Sequence, residues 1–238
     1  MNTNIKLIAE NTWQIEDDFV RFFLLAGKER SLLIDTGVSG MDTRAIASSL
    51  TNLPISLINT HGDGDHISDN ASFEEFYMNL TDYINQGIEK KIPGSRCIPV
   101  CDGDTIDLGN RVLEIIGIPG HTYGSIAILD TATGILFSGD SVQNGVIYMF
   151  GSHRAPSLFP ESLKTLATRK PEIQMICPSH GDCPISPDYT DHVIEAVDLV
   201  NRGEAVPTPA MVRDNQVNIY MTPWCGFYTD INFNKFID

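Results

Sequence analysis

The chain has 238 residues, with 16 basic and 31 acidic side chains and a formal net charge of −15. Such an excess of acid disfavours nucleic acid as a partner, because binding to a phosphate backbone depends on clustered Lys and Arg. With 42% hydrophobic and 20% charged residues the composition is that of a folded protein, and no run reaches the roughly 18 apolar residues that a membrane span requires.

The start of the chain, Met1-Asn2-Thr3-Asn4, lacks the basic region and apolar segment of a secretory signal. The five cysteines are an odd number and contain no CxxC pair. We therefore expect a cytoplasmic protein with reduced thiols.

The first half of the chain is predicted to open with a meander. Short apolar runs separated by Gly, Asp and Asn turn signals predict strands at 5–8, 12–15, 19–25 and 31–35. A helix over 41–51 and a strand at 55–59 follow. Apolar side chains then recur at spacings of three and four, which predicts a helix over 72–90; they are Phe73, Phe76, Tyr77, Leu80 and Ile84.

The second half mixes strands and helices. Strands are predicted at 112–118, 125–129, 134–137 and 173–177, and a helix at 160–169. Another helix is predicted to begin at Ser186-Pro187-Asp188, with Ser186 as its N-cap and Pro187 as its first residue, and to carry an apolar stripe of valines at 193, 197 and 200.

The chain shows no internal repeat and no linker, so we expect one domain over 1–238. Its tail, 204–238, is rich in aromatic side chains, which indicates packing or a subunit interface such as that of a homodimer.

Histidines and aspartates crowd the exits of four predicted strands. The first segment is His61-Gly62-Asp63-Gly64-Asp65-His66, and the other three carry His121, Asp140 and His180. Imidazole and carboxylate are the usual protein ligands of zinc, iron and manganese. The glycines of the first segment are expected to let its backbone fold tightly so that its side chains converge. Together the four segments predict a metal site.

In order and residue type, these segments resemble the motif of the metallo-β-lactamase-fold hydrolases. The correspondence begins at Asp35 in Ile34-Asp35-Thr36-Gly37, continues through the loop at 61–66, and ends with His121, Asp140 and His180. The resemblance covers about 31–181. It implies an α/β fold of the αββα sandwich type, with two mixed β-sheets packed face to face, helices on the outer faces and the metal site at one edge.

The resemblance also implies the roles of these residues. Two divalent metal ions, zinc being the expected one, would be bound. Asp65 would additionally act in catalysis by aiming the bridging hydroxide, and Asp35 would orient the loop through hydrogen bonds. The ligands would be His61, residue 63 and His121 for the first ion, Asp65, His66 and His180 for the second, and Asp140 as the bridge.

The chain departs from the family pattern at Asp63, where the pattern has histidine. A carboxylate there makes the site one charge unit less positive and supplies a harder donor, which favours iron or manganese relative to zinc. A carboxylate at this position is also found in the diiron centres of flavodiiron proteins. An iron-dependent redox protein is therefore one alternative, and a non-catalytic binding relative with a weakened first site is another.

Metal-assisted hydrolysis is the activity that the resemblance implies, with a metal-bound hydroxide attacking a small ester, thioester, lactone or phosphodiester. Tyr123 is a candidate donor to the oxyanion. Tyr148 and Arg154 follow Asp140 and are candidates for the substrate pocket, Arg154 for an anionic substrate. Glyoxalase-type thioesterases of this family use a helical C-terminal domain, whereas this tail is expected to be too short and too strand-like for one.

Overall fold

The computed structural model describes residues 4–236. The first three residues, Met1-Asn2-Thr3, on which the expectation about a secretory signal partly depends, lie outside the described residues. The two ends of the predicted domain over 1–238 lie outside them as well. The strands are β1 (Ile5–Ala9), β2 (Thr12–Asp17), β3 (Val20–Ala26), β4 (Ser31–Ile34), β5 (Ile55–Ile58), β6 (Glu75–Asn79), β7 (Arg96–Val100), β8 (Thr105–Asp107), β9 (Val112–Gly117), β10 (Ile126–Asp130), β11 (Ile135–Gly139), β12 (Val146–Met149), β13 (Met175–Pro178), β14 (Thr208–Val212), β15 (Asn215–Met221) and β16 (Gly226–Asp230). The α-helices are α1 (Thr43–Leu50), α2 (Leu80–Asn85), α3 (Ile88–Lys91), α4 (Phe159–Thr168) and α5 (Tyr189–Asn201).

The chain forms two compact units. Unit 1 contains the residues up to Ile116 together with Ile128–Thr133, and unit 2 contains Gly117–Ala127 and the residues from Gly134 onwards. The strand β10 contributes residues to both units.

Unit 1 is built on a seven-stranded sheet in which β1 to β7 follow one another in chain order. The strands β1 to β4 pair antiparallel, which confirms the predicted meander, and β4 to β7 pair parallel. Parallel neighbours need a crossover segment between them. The helix α1 supplies the crossover from β4 to β5, and α2 and α3 supply the one from β6 to β7.

The core of unit 1 is an apolar cluster drawn from the sheet and its helices. Every residue of β3 is buried, and burying one Phe or Leu side chain contributes roughly 1.5–3 kcal/mol. The cluster contains Ile15, Phe22, Leu24, Leu33, Ala47, Leu57, Ile67, Phe73, Phe76, Met78, Ile88 and Ile92. This packing holds the carboxyl ends of β4 and β5 in place.

The predicted helix over 72–90 is wrong in its first half. Residues Glu75–Asn79 form β6, where the buried Phe76 and Met78 alternate with more exposed neighbours. Pairing of β6 with β5 and β7 overrides the helical spacing of the apolar residues. Ile84, which completes that spacing, is 64% exposed on the short helix α2.

Several other boundaries differ from the predictions. The helices predicted over 41–51 and 160–169 are confirmed as α1 and α4, but the last helix begins at Tyr189 rather than at Pro187. The hydroxyl of Ser186 accepts from the N–H of Asp188 (3.2 Å) in a turn that precedes this helix. Phe19 lies in a turn before β3. The strands β7, β8, β12, β14, β15 and β16 were not predicted individually.

Unit 2 contains a parallel pair, β11 and β13, and a four-stranded sheet in the order β12, β16, β15, β14. The helices α4 and α5 pack against each other. Aromatic rings of the tail pack with Phe159 of α4: its ring centroid lies 6.4 Å from that of Phe227 and 6.1 Å from that of Phe236. The tail is therefore strand-rich and packed within its own unit.

A buried arginine crosslinks distant segments of unit 1. The guanidinium of Arg111 donates to the Asp130 carboxylate (2.7 and 3.0 Å), to the Thr12 hydroxyl (2.7 Å), and to the carbonyl oxygens of Asn11 (3.0 Å) and Ala26 (3.1 Å). Asp130 is fully buried, and such a pair is retained only when its donors and acceptors are satisfied, as they are here.

None of the described helices is long and apolar enough to span a bilayer. Among residues 4–236, no cysteine is joined to another in a disulfide.

Candidate metal centre

The ligand-rich loop at 61–66 leaves the sheet of unit 1 beside Asp35. The strands β4 and β5 are parallel and pair Ile34 with Ile58, so the residues that follow them emerge at the same edge of the sheet. The N–H of Asp35 donates to the Ile58 carbonyl oxygen (2.8 Å). Asp35 has a φ of +65°, a left-handed conformation that aspartate adopts more readily than most residues.

The buried carboxylate of Asp35 holds His66 of this loop directly and His61 through the Thr60 hydroxyl. Its Oδ2 accepts from Nδ1 of His66 (2.8 Å) and from the Thr60 hydroxyl (2.7 Å), and its Oδ1 accepts from the N–H of Thr60 (2.8 Å). Since the Thr60 hydroxyl donates to Asp35, its oxygen accepts from Nδ1 of His61 (3.0 Å). Both imidazoles are fixed through Nδ1, which leaves the lone pair on Nε2 for a metal ion.

The two carboxylates of the loop lie near these Nε2 atoms. Nε2 of His61 is 3.7 Å from Oδ2 of Asp63, and Nε2 of His66 is 3.8 Å from Oδ2 of Asp65. Two ligands bound tetrahedrally to one ion at about 2.1 Å lie about 3.4 Å apart. The observed separations are near that value, so the donor set of the loop fits a divalent ion.

Two further side chains support the loop and were not identified from the sequence. Nε2 of Gln86 donates to Oδ1 of Asp63 (3.3 Å) and to Oδ2 of Asp82 (3.2 Å), and Asp82 accepts from the N–H of Gly62 (2.8 Å). The spacing of four between Asp82 and Gln86, at the end of α2, was the available signal.

The glycines of the loop differ in their roles. A Cβ at Gly62 would lie 3.0 Å from the Gln86 side chain, whereas nothing lies within 4 Å of one at Gly64. A side chain at Gly62 would therefore have to displace Gln86 slightly, whereas the space around Gly64 sets no such limit.

In unit 2, Asp140 and His180 follow the parallel strands β11 and β13. The register pairs Gly139 with Pro178, and the N–H of Ser179 donates to the Gly139 carbonyl oxygen (3.0 Å). Oδ2 of Asp140 consequently lies 3.2 Å from Nε2 of His180, and it also lies 3.5 Å from Nε2 of His121. One carboxylate oxygen that faces two imidazoles has the disposition of a shared ligand.

His121 is placed by the backbone around it. Its Nδ1 donates to the Tyr148 carbonyl oxygen (2.8 Å), so its lone pair is on Nε2. The preceding Gly120 packs on Phe159 so closely that a Cβ would lie 2.3 Å from the ring. Glycine is therefore required for His121 to reach this position.

The three candidate substrate residues have different surroundings within unit 2. Tyr123 is 44% exposed, and its N–H donates to the His153 carbonyl oxygen (3.2 Å). The ring of Tyr148 packs against that of Tyr228, with centroids 5.1 Å apart. Arg154 contacts a candidate ligand: its Nη1 lies 3.1 Å from Nε2 of His121 and 3.2 Å from the His121 carbonyl oxygen. This contact between Arg154 and His121 was not predicted from the sequence.

Curated relatives share part of the sequence. A hydroxyacylglutathione hydrolase of Gloeobacter violaceus is 32% identical over 111 residues, which cover 45% of this chain and 44% of that protein. A protein of the same name from Pseudomonas putida is 27% identical over 164 residues, covering 68% and 61%. The chain spans about half the length of the curated relatives it matches.

Solved structures share the fold. The metallo-β-lactamase from Pontibacter korlensis matches 82% of this chain and 98% of its own with a TM-score of 0.68 at 17% identity. The metallo-β-lactamase from Hirschia baltica matches 81% and 96% with a TM-score of 0.64, also at 17% identity. These matches confirm the predicted α/β fold class.

The family model of the metallo-β-lactamase superfamily matches residues 15–180, which is more than half of the chain and includes every candidate ligand. The chain therefore belongs to the metallo-β-lactamase superfamily.

Proposed function

We propose that this protein is a single-domain, metal-dependent hydrolase with two divalent ions. His61, Asp63 and His121 would hold the first ion, Asp65, His66 and His180 the second, and Asp140 would bridge them. The observation that carries the proposal is the spacing within each unit: imidazole Nε2 atoms lie 3.2–3.8 Å from carboxylate oxygens. The Nδ1 atoms of His61, His66 and His121 are held by hydrogen bonds. Buried acids and imidazoles at such spacing suit a shared cation.

When bound, the two ions would lower the pKa of a coordinated water towards neutrality and polarise the acyl or phosphoryl oxygen of the substrate. Asp65 is the more exposed of the two loop carboxylates, so we assign it the role of accepting a hydrogen bond from the attacking water and aiming it. The hydroxyl of Tyr123, an exposed residue, would donate to the oxyanion. Arg154 would pair with an anionic group of the substrate.

Among small esters, thioesters, lactones and phosphodiesters, we propose thioesters as the first class to test, because the curated relatives are hydroxyacylglutathione hydrolases. The tail of this chain forms the strands β14 to β16. It therefore differs from the helical domain that the family resemblance implies for glyoxalase-type enzymes, and we extend the proposal to the thioester bond rather than to glutathione.

A second candidate function is iron-dependent redox chemistry, and Asp63 is the observation that favours it. Its Oδ2 faces His61 while Gln86 binds its Oδ1, so this chain offers a hard oxygen donor where the family pattern has imidazole. Purification from cells supplied with both iron and zinc separates the two candidates. Bound iron together with consumption of oxygen or nitric oxide when a reductant is added would favour the redox function.

The hydrolase proposal is tested by elemental analysis of the purified protein and by a substrate panel. We expect about two metal equivalents per chain. We also expect hydrolysis of at least one member of a panel containing an acyl thioester, a lactone, a p-nitrophenyl ester and bis(p-nitrophenyl) phosphate, with loss of that activity on chelation and recovery on adding metal. A metal-replete sample that hydrolyses none of them would contradict the proposal.

A further inference from the structure

Arg154 is tied to the loop that carries His121. The N–H of Ala155 donates to the Gly120 carbonyl oxygen (2.9 Å), and the N–H of Tyr123 donates to the His153 carbonyl oxygen (3.2 Å). These two backbone hydrogen bonds flank Arg154 and His121 in the chain. They fix the two segments side by side, so the position of the guanidinium follows from the backbone as well as from the side-chain rotamer.

The guanidinium of Arg154 donates to Nε2, the nitrogen that carries the lone pair of the neutral His121 ring. Nδ1 of His121 donates to the Tyr148 carbonyl oxygen (2.8 Å), so the acceptor atom of the neutral ring is Nε2. Nη1 of Arg154 lies 3.1 Å from that atom. An arginine stays charged at any physiological pH and cannot turn into an acceptor.

One lone pair cannot serve a guanidinium and a metal ion at once. We propose that Arg154 competes with metal for Nε2 of His121, so that the ion held by His121 binds more weakly than the ion held by Asp65, His66 and His180. This inference rests on the proposed function, because it takes His121 as a ligand. The protein would then fill in two steps, and Arg154 would leave the ring in the second step.

The expected size of the effect follows from the kind of bond that is lost. A hydrogen bond from a charged donor is stronger than a neutral one, and its loss corresponds to roughly 10- to 100-fold in an equilibrium constant. His180 and Asp140 do not depend on this bond, so the tighter step should not change.

The test is a zinc titration of the metal-free protein against a chromophoric chelator, which reports affinity without any assay of activity. We expect two steps for the wild type. Arg154→Met and Arg154→Gln should raise the affinity of the weaker step by about 10- to 100-fold, and His121→Ala should remove that step while leaving the tighter one. The control is Arg202→Met, since Arg202 is an exposed arginine paired with Glu195 and Glu204.

The contrary outcomes are distinct. Two equally tight steps that Arg154→Met leaves unchanged would overturn the competition and leave the proposed function standing. If Arg154→Met raised the zinc affinity of both steps by the same factor, the cause would be a general charge effect, and this result would also overturn the competition. Failure of the wild type and of every variant to bind zinc or iron would overturn the proposed function itself.

Discussion

The two units present their candidate ligands in different ways. In unit 1, His61, Asp63, Asp65 and His66 occupy one short loop, and buried side chains hold the imidazoles. In unit 2, Asp140 and His180 leave two strands whose register fixes their separation, and a backbone carbonyl holds His121. Single substitutions behind the ligands should therefore disturb the loop of unit 1, whereas unit 2 should respond mainly to changes at the ligands themselves.

The largest effect is expected in unit 2, at Asp140. Because its Oδ2 faces both His121 and His180, Asp140→Ala should reduce the metal content from about two equivalents to one or fewer. It should lower turnover on the order of 10³-fold, since the ions contribute several kcal/mol to the transition state. Elemental analysis and turnover are the measurements. Ser141→Ala is the matched control, because this adjacent side chain is buried and its hydroxyl has no hydrogen-bond partner among residues 4–236. An unchanged metal content in Asp140→Ala would contradict its assignment.

The next effect probes the side-chain network of unit 1. Asp35→Asn keeps the size and the tolerance of positive φ but loses the charge that holds both imidazoles, so the affinity for both ions should fall roughly 10- to 100-fold. Thr60→Val removes the hydroxyl that links Asp35 to His61 but keeps the contact between Asp35 and His66, so the ion held by His61 should be affected most. Zinc titration of the two variants distinguishes these patterns. If Thr60→Val weakened both ions as strongly as Asp35→Asn, the division of the network between the two histidines would be wrong.

A smaller change sharpens the comparison at Asp63. Asp63→His should raise zinc affinity by about tenfold, because imidazole suits zinc better than a single carboxylate oxygen does. Gln86→Leu should lower zinc affinity by less than about tenfold in the wild type, since it removes one neutral donor to Asp63. In the Asp63→His background Gln86→Leu should have no such effect, and this double-mutant cycle is the control. Equal effects in both backgrounds would mean that Gln86 does not act through Asp63.

The smallest effect compares a thiol from each unit. Burial raises the pKa of Cys97 in unit 1 to about 11. Burial is also the largest cause of the raised pKa of Cys225 in unit 2, which is about 12. Because these folded-state pKa values are raised, the neutral thiols favour the folded state. That contribution is fully present below pH 9, the ordinary value, and declines as the pH rises through 11 and 12.

Thiol labelling of the native protein at increasing pH measures this difference. The exposed Cys101 should react before the buried Cys225, and denatured protein is the control in which all five cysteines react. Labelling of native Cys225 as fast as Cys101 would contradict the burial of that thiol.

The sequence allowed the order of the ligands to be predicted because each follows an apolar strand. Asp35 and His61 come after β4 and β5, and Asp140 comes after β11, so local patterns alone placed them at strand exits. The superfamily membership and the α/β fold class that followed from this motif are confirmed. The ligand roles of the individual residues stay a proposal.

Contacts between segments that are distant in sequence could not be predicted in this way. The spacing of apolar residues around Phe76 fits a helix, and only pairing with β5 and β7 makes that segment a strand. Likewise Gln86 reaches Asp63 across 23 positions and Arg154 reaches His121 across 33. Neither pair forms a pattern along the chain, because tertiary packing sets both contacts.

The Arg111 network has a consequence for the order in which the chain can fold. Asn11 and Ala26, whose carbonyl oxygens accept from Arg111, precede it in the chain by 100 and 85 positions. Asp130, whose carboxylate also accepts from Arg111, follows it by 19 positions. A chain that stops at Ile116 lacks that carboxylate, and leaving one partner of a buried pair without the other costs about 3–5 kcal/mol. During synthesis, unit 1 is therefore completed only after the first segment of unit 2, Gly117–Ala127, has been made, and no single cut in the chain yields both units whole.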